Sequence, residues 1–392
     1  MPESRLRNFY LNPSQQRSRL DSAFPESYQF EDALSPIVRV EQNFDQILIP
    51  KDHPSRRQHL TAGSKSDTFY LSPEIILRTQ TSAHQIEMLS RGKKAFCVLG
   101  DVYRKDEIDA THYPVFHQME ALRLFKVSDL RDYASDALSK SYQDRGYSIT
   151  EDIQNQNYKY FTTRAENVME EQQNSFIRRL LIDDLKETHE NLMKYLFPNQ
   201  SDMRWNPDRF PFTEPSYEME VLLKGKWLEV LGSGIVHKGV LQNAGVDPNK
   251  YIGWASGVGL ERLAMIMFNI PDIRLFWSTD PRFLNQFEQD LISEFKPFSK
   301  YPSCFKDVSF FLPRGAVIHD NDIHEVVRNH AGDLVEKVET VDSFENKSSG
   351  KVSKCFRIHY RSLERTLTNN EIDAIQFKIR GDLQSRLGVE LR

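Results

Sequence analysis

Apolar and polar positions change rhythm several times along the chain, and each change marks an element. Residues 1–125 mix short apolar runs with prolines and end in two strand-like stretches, Ala95–Tyr103 and Phe116–Phe125. Residues 126–162 are polar and lack a steady period, so Ser128–Tyr160 reads as an insertion. From Ala165 to Phe197 the apolar residues Met169, Phe176, Ile177, Leu180, Leu181, Leu185, Leu192 and Leu196 recur at helical spacing, and Pro198 closes the run. One long helix or two is expected there. Phe210–Leu241 alternates strand-like stretches with glycines, and Leu260–Phe268 reads as a helix after Ser256-Gly-Val-Gly.

The last hundred residues form a separate unit. Phe305–Leu312 reads as a strand, and Asp320 can cap a helix that runs through Asn329 and stops at Gly332. Leu334, Val338, Val341 and Phe344 predict an extended segment, and Asn346–Gly350 a turn. Phe356, Ile358 and Tyr360 alternate with Arg357, His359 and Arg361, a strand apolar on one face and basic on the other. Thr368-Asn-Asn-Glu371 is a capping box opening a helix with Ile372, Ile375, Ile379, Leu383 and Leu387 inward. Val389–Leu391 supplies a final strand. The order is β-α-β-β-α-β, the ferredoxin-like pattern.

Composition bounds these readings. A chain of 392 residues with 39% hydrophobic and 27% charged residues is long enough for two or three domains and is not disordered. Its apolar runs are far shorter than the roughly 18–20 residues of a membrane helix, so no membrane partner is expected. Cys97, Cys304 and Cys355 are odd in number, far apart and free of any C-x-x-C, which excludes a disulfide framework and a zinc ribbon. They read as buried small hydrophobes. Arg5, Arg7, Arg17 and Arg19 against Glu3 make the first twenty residues either a presequence remnant or a basic arm, with Pro2 and Pro13 interrupting a helix.

Two segments carry candidate chemistry. Arg104 closes the first strand before a polar loop, Thr111-His112-Tyr113, and Phe116, Gln118 and Glu120 share one face of the second. An arginine, a histidine, a ring and a Gln/Glu pair can converge on a small polar ligand, or the segment is an exposed hairpin. His112 and His117 lack metalloprotease spacing, so zinc is not expected. In Trp254-Ala-Ser-Gly257-Val-Gly259-Leu-Glu-Arg262 the glycines either let a ligand approach or merely join strand to helix. No Gly-Lys-Ser/Thr follows, so it is not a P-loop. Asp183-Asp184 on the long helix reads as a solvated face, and Phe210 with Phe212, two apart on an expected strand, as core without further context.

Together, Arg104, His112-x-x-x-Phe116 and Gly257-x-Gly259-x-Glu261-Arg262 resemble motifs 2 and 3 of class II aminoacyl-tRNA synthetases. Thr81-Ser-Ala-His84-Gln85, Thr111 through Glu120, Phe210-Pro-Phe212-Thr-Glu-Pro-Ser216 and Trp227-Leu-Glu229-Val-Leu-Gly232-Ser-Gly234 make the resemblance specific to the phenylalanyl-tRNA synthetases. It covers most of residues 50–125 and 165–392. A catalytic module and such a tail in one chain resemble the monomeric organellar form. The resemblance implies an α+β fold: a class II antiparallel β-sheet catalytic domain flanked by helices, plus a C-terminal ferredoxin-like (βαββαβ) anticodon-binding domain. The expected division is an arm over 1–49, a catalytic domain over 50–280 with its insertion at 126–162, a linker over 281–297 and the tail over 298–392.

The activity implied is ligation of phenylalanine to tRNA(Phe) through an adenylate, in the mitochondrial matrix. The substrate carboxylate attacks the α-phosphate of ATP, and positive charge must offset the repulsion of two anions. The resemblance puts Arg104 on the α-phosphate and Arg262 on the γ-phosphate, with adenine between Arg262 and Phe116. Glu229 resembles the acidic ligand of Mg²⁺, and Thr111, His112, Tyr113, Gly257 and Gly259 complete the ATP-binding set. Ser82, Ala83, His84, Gln85, Gln118, Met119 and Glu120 are the implied amino-acid contacts. Phe210 and Phe212 resemble the ring-clamping pair, and Ala255 and Ser256 the end of the slot. The family usually carries Phe where this chain has Ser256, a departure at the pocket wall that Trp254 is placed to offset.

Charge excludes less than it first promises. The net charge of −5, from 51 Lys and Arg against 56 Asp and Glu, argues against a nucleic-acid partner. Residues 298–392, however, hold 15 basic and 14 acidic side chains, and Lys351, Lys354, Arg357, Arg361 and Arg365 face Glu364 alone over 351–365. Lys351, Lys354, Arg357 and Arg361 are therefore candidate tRNA contacts, or else a solvated edge that discourages strand pairing. A non-catalytic RNA-binding relative would have lost Arg104, Glu229 or Arg262. A ligase for another acid would not need Gln118 with Glu120.

Overall fold

The computed structural model describes residues 2–11, 28–32, 34–40, 42, 67–133, 165–198, 202–223, 225–287, 293–297, 301–313, 315–316, 318–345 and 351–392. The Ser128–Tyr160 insertion lies outside them beyond residue 133, as does the Asn346–Gly350 turn. The elements are α1 (Pro2–Leu11), β1 (Gln29–Glu31), β2 (Ile37–Arg39), β3 (Tyr70–Ser72), β4 (Ile75–Leu77), a 3-10 turn Thr81–His84, α2 (Gln85–Ser90), β5 (Ala95–Tyr103) and β6 (Val115–Lys126). There follow α3 (Ala165–Leu196), β7 (Met203–Asp208), β8 (Thr213–Leu223), β9 (Lys226–Val236), α4 (Lys238–Asn243), β10 (Tyr251–Gly259), α5 (Leu260–Phe268) and α6 (Pro281–Leu284). The tail holds β11 (Cys304–Phe311), α7 (Asp320–Ala331), β12 (Val335–Glu345), β13 (Val352–Tyr360), α8 (Asn369–Leu387) and β14 (Glu390–Leu391).

A seven-stranded sheet in the order β1-β5-β6-β10-β9-β8-β7 is antiparallel throughout except for the parallel pair β1 with β5. Alternation assigns its two faces. Cys97, Leu99, Met119, Ala121, Trp254 and Val258 point to one side, where they pack with Leu181, Leu185 and Leu192 of the single long helix α3. Phe96, Val98, Leu122, Leu124 and Ala255 point to the other, against Met88, Leu89, Val240 and Leu241. Gln118, Glu120 and Gly257 share this second face, which leaves it free to carry a cleft.

The N-terminal segment is part of the core. Pro2 occupies the first turn of α1, where its missing N–H costs no bond, and does not break the helix as expected. Phe9 and Tyr10 are buried in the main cluster, Tyr10 against Tyr28 at 5.0 Å.

The tail forms a four-stranded antiparallel sheet, β12-β13-β11-β14, in the expected β-α-β-β-α-β order. Val308, Phe310, Phe356, Ile358 and Tyr360 meet Ile323, Val327, Ile372, Ile379 and Leu383 of its two helices. Thr368 and Glu371 make the capping box that opens α8, worth about 1 kcal/mol. On α7 the cap is His319 rather than Asp320, because the Asp322 carboxylate accepts from the His319 N–H at 3.0 Å. Cys97 is buried, whereas Cys304 and Cys355 are only half-buried.

The tail docks on the loop between β5 and β6. Ile108 of that loop lies in the tail's hydrophobic cluster, and its carbonyl accepts from the Val338 N–H at 3.1 Å. Arg328 donates to the Asp106 carbonyl at 2.7 Å, Lys105 pairs with Glu325 at 2.7 Å, and Tyr113 donates to Asp333 at 2.9 Å. Arg274, itself buried, bridges the units by donating to the carbonyls of Asp333 and Val335 while forked on Asp272.

Candidate active site

The free face of the large sheet carries an open cleft. The 3-10 turn and α2 wall one end, the β5–β6 loop and Arg262 the other, and the β7–β8 loop covers the middle. Of the expected site residues, Ser82, Gln85, Arg104, Thr111, His112, Tyr113, Phe116, Gln118, Glu120, Phe210, Phe212, Glu229, Ala255, Ser256, Gly257, Gly259 and Arg262 line it. Ala83, His84 and Met119 do not. Met119 points through the sheet into the other core, as its place between Gln118 and Glu120 on a strand requires.

At the back of the cleft Glu120 is 1% exposed. Its carboxylate accepts from Ser82 Oγ, Gln85 Nε2 and, at 3.5 Å, Thr81 Oγ1. Burial nevertheless dominates and pushes its pKa up from 4.5 to about 7. Gln118 Oε1 accepts from the Thr81 N–H at 2.9 Å, so its orientation is fixed by the 3-10 turn. A Cβ on Gly257 would lie 3.1 Å from Gln118 Nε2, which is why the neighbouring strand carries glycine there. Gln85 Oε1 is a buried acceptor with no partner among the described residues. This end of the cleft is rich in acceptors, and a compact cation satisfies it.

Next to it lies an apolar slot. Phe210 and Phe212 fall in the loop before β8, not on a strand, because the chain turns at Pro211. Their rings are parallel within 8° at 6.0 Å between centroids. Gly232 gives Phe210 its room, since a Cβ there would come 2.9 Å from the ring. Ala255 lines the cleft with them.

The other end is cationic. Arg104 Nε donates to the Thr79 carbonyl at 2.8 Å, and its guanidinium lies 5.3 Å from the Phe116 ring centroid. Arg262 contacts the Glu229 carboxylate at 3.3 Å and carbonyl at 3.0 Å. Arg104 thus lies against Phe116, while Arg262 is held by Glu229. Arg262 Nη2 also lies 3.2 Å from His112 Nε2. A guanidinium only donates, so Nε2 accepts and Nδ1 carries the hydrogen toward Asp109, 2.9 Å away. Asp109 further accepts from the N–H groups of Thr111 and His112, and these bonds hold its carboxyl far below the usual range.

Several supports escaped the sequence reading. Arg78, 1% exposed, donates to the carbonyls of Leu34 and Asp101 and lies 3.0 Å from His84 Nε2, tying the 3-10 turn to β5. Glu261 straps His117 by backbone and ring at 2.8 and 2.6 Å. Asp184 is buried and accepts from Trp254 Nε1 at 2.7 Å, not solvated as expected. Ser256 turns the same way, to His189 Nε2 at 2.7 Å. The Ser256 and Trp254 side chains therefore face α3, and Trp254 does not wall the slot. Asp109 stands two residues before Thr111, and Glu261 and Asp184 lie in segments already singled out, but nothing local marked Arg78 or His189.

In the tail, the expected RNA contacts are paired within their own domain. Arg357 forks on Asp307 at 2.8 and 2.9 Å, Arg361 lies 3.3 Å from Glu336, and Lys351 3.1 Å from Glu390. Lys354 sits on the helical side of β13, 2.5 Å from Asp320, and is not part of the Arg357–Arg361 face.

Two family models match the chain. The class II core domain (F) of tRNA synthetases matches residues 2–177 and 172–287, and the ferredoxin-fold anticodon binding domain matches 299–392. An antiparallel sheet with this cleft and this tail is a class II aminoacyl-tRNA synthetase. A mitochondrial phenylalanine-tRNA ligase of Dictyostelium discoideum is 43% identical over 393 residues, 93% of this chain and 80% of that protein. That of Mus musculus is 43% identical over 364 residues, 92% of this chain and 75% of that protein. The phenylalanine-tRNA ligase alpha subunit of Actinobacillus succinogenes is 38% identical over 249 residues, 63% of this chain and 57% of the subunit. The chain belongs to the phenylalanine-tRNA ligase family.

Proposed function

We infer that this chain activates phenylalanine with ATP and transfers it to the 3′-terminal adenosine of tRNA(Phe), as a monomer in a mitochondrial matrix. The observation that carries the reading is the buried Glu120 with Gln118, Ser82 and the unpartnered Gln85 Oε1, set beside the Phe210–Phe212 slot. An α-ammonium group satisfies the first and an unsubstituted aromatic ring the second. The mitochondrial names of the relatives support the compartment, and the union of core and tail in one chain supports the monomer.

In the first step a carboxylate oxygen of phenylalanine bonds to the α-phosphorus, and the bond to the bridging oxygen breaks to release pyrophosphate. The nucleophile is already ionised, so no general base is needed. Arg104 and Arg262, fixed before substrate arrives, meet the charge that spreads over the phosphates. Glu229, half-exposed at the rim, fits a Mg²⁺ that takes one protein carboxylate and fills its other positions with water and phosphate oxygen. When bound, that ion supplies neutralising charge. Arg357 and Arg361 on the open face of the tail are the proposed anticodon-side contacts, after exchanging their acids for phosphate.

The test is ATP–pyrophosphate exchange with each of the twenty amino acids, followed by charging of tRNA(Phe). Stimulation by phenylalanine is expected, and its absence overturns the reading.

A further inference from the structure

Ala255 and Gly257 of β10 face the slot, and what fixes their height lies across the sheet. The alternate residues Trp254 and Ser256 are each pinned by a hydrogen bond to α3. Trp254 Nε1 donates to the buried Asp184, and Ser256 Oγ lies 2.7 Å from His189 Nε2. The His189 ring is fully buried, with its edge on Trp254 at 5.3 Å between centroids. Its Nδ1 lies 2.6 Å from the Leu185 carbonyl oxygen. A carbonyl cannot donate, so Nδ1 holds the hydrogen and Nε2 is a bare acceptor. The Ser256 hydroxyl is therefore the donor, and every polar atom of the pair is committed. Burial keeps the ring neutral, its pKa pushed down to about 4. Ladders to β6 and β9 fix the register of Ala255-Ser256-Gly257 in the plane of the sheet, and the one directed bond at its centre adds a restraint perpendicular to that plane.

We propose that His189 is a positioning residue for amino-acid selection: through Ser256 it sets the height of Ala255, and so the depth left for a substituent at the para position of the substrate ring. This rests on the reading of Ala255 as the end of a phenylalanine slot. A hydrophobic slot separates substrates that differ by one small group only about 10–200-fold, so a modest settling of its floor is visible in the ratio.

The full-length wild type and its Ser256→Ala, His189→Ala and His189→Gln variants are assayed by ATP–pyrophosphate exchange with phenylalanine, tyrosine and 4-chlorophenylalanine. Ala255→Gly serves as the opened-slot control. Ser256→Ala and His189→Ala are expected to raise the 4-chlorophenylalanine:phenylalanine ratio of kcat/KM by about tenfold, mainly through KM. His189→Gln keeps an acceptor for Ser256 and is expected to return most of the wild-type ratio. Ratios unchanged in both alanine variants, with only their melting temperatures lowered, would make the pair purely structural and overturn the proposal. If His189→Ala gives no soluble protein, Ser256→Ala, smaller by one oxygen, decides alone. A wild type that phenylalanine does not stimulate, while another amino acid does, removes the functional reading and this inference together.

Discussion

Replacing Glu120 by Gln removes one negative charge from the back of the cleft and keeps the shape. Because burial raises this carboxyl to about 7, roughly a tenth of it is ionised at pH 6 and roughly nine tenths at pH 8. An ammonium group binds the ionised form, so KM for phenylalanine in pyrophosphate exchange falls by about tenfold from pH 6 to pH 8 in the wild type. In Glu120→Gln the KM is flat over that range and higher at pH 8 by about 10- to 100-fold, the worth of a charged hydrogen bond. Stability moves in the opposite sense. The folded pKa lies above the ordinary 4.5, so the folded state holds the proton more tightly, and wild-type stability drops as pH rises from 4.5 through about 7. The full cost is about 3 kcal/mol. Denaturant unfolding at pH 4.5 and pH 8 therefore shows the Gln variant gaining on the wild type by that order. A wild-type KM insensitive to pH, together with a stability difference insensitive to pH, would refute the assignment.

Arg262→Ala lowers kcat for pyrophosphate exchange by about 10²–10³-fold, the cost of losing one preorganised donor at developing charge; an effect on KM alone would assign Arg262 to ground-state binding. Gly232→Ala drives a Cβ to 2.9 Å from the Phe210 ring, and KM for phenylalanine rises by about tenfold with little change in melting temperature. Arg274→Ala strands the Asp272 carboxylate, 8% exposed, and breaks two bonds to the tail, so denaturant unfolding shows a loss of about 3–5 kcal/mol.

Elements whose evidence is local were legible in the chain. Alternation located β5, β6 and β13, helical spacing located α3 and α5, and the Thr368–Glu371 pair marked the start of α8. β7 was missed because Pro207 lies in it, which only an edge strand tolerates, and edge position is not written locally. The cleft was legible where motif residues face it. Met119 entered the candidate set as a neighbour in the chain, although strict alternation between Gln118 and Glu120 already turned it away. The errors of burial share one cause. Asp184 reads as solvated and Arg78 is passed over; both carry charges that default to solvent, and partners 70 and 23 residues away, Trp254 and Asp101, make them interior groups. The acid that pairs with the part-exposed Arg357 likewise stands 50 residues away on β11, where no local pattern shows it.

Ile108 sits in the loop that walls the cationic end of the cleft yet fills a place in the hydrophobic cluster of the tail, and burying such a side chain is worth about 1.5–3 kcal/mol. That energy has no single owner. Removing the tail would leave an apolar side chain in water three residues from Thr111 and strip the Val338 bond from its carbonyl. Removing the catalytic unit would leave a hole in the tail. Severing the chain between the units should therefore give two fragments, each less stable than its share of the whole. The loop that walls the cleft inherits part of its order from a domain that contributes none of the described lining residues.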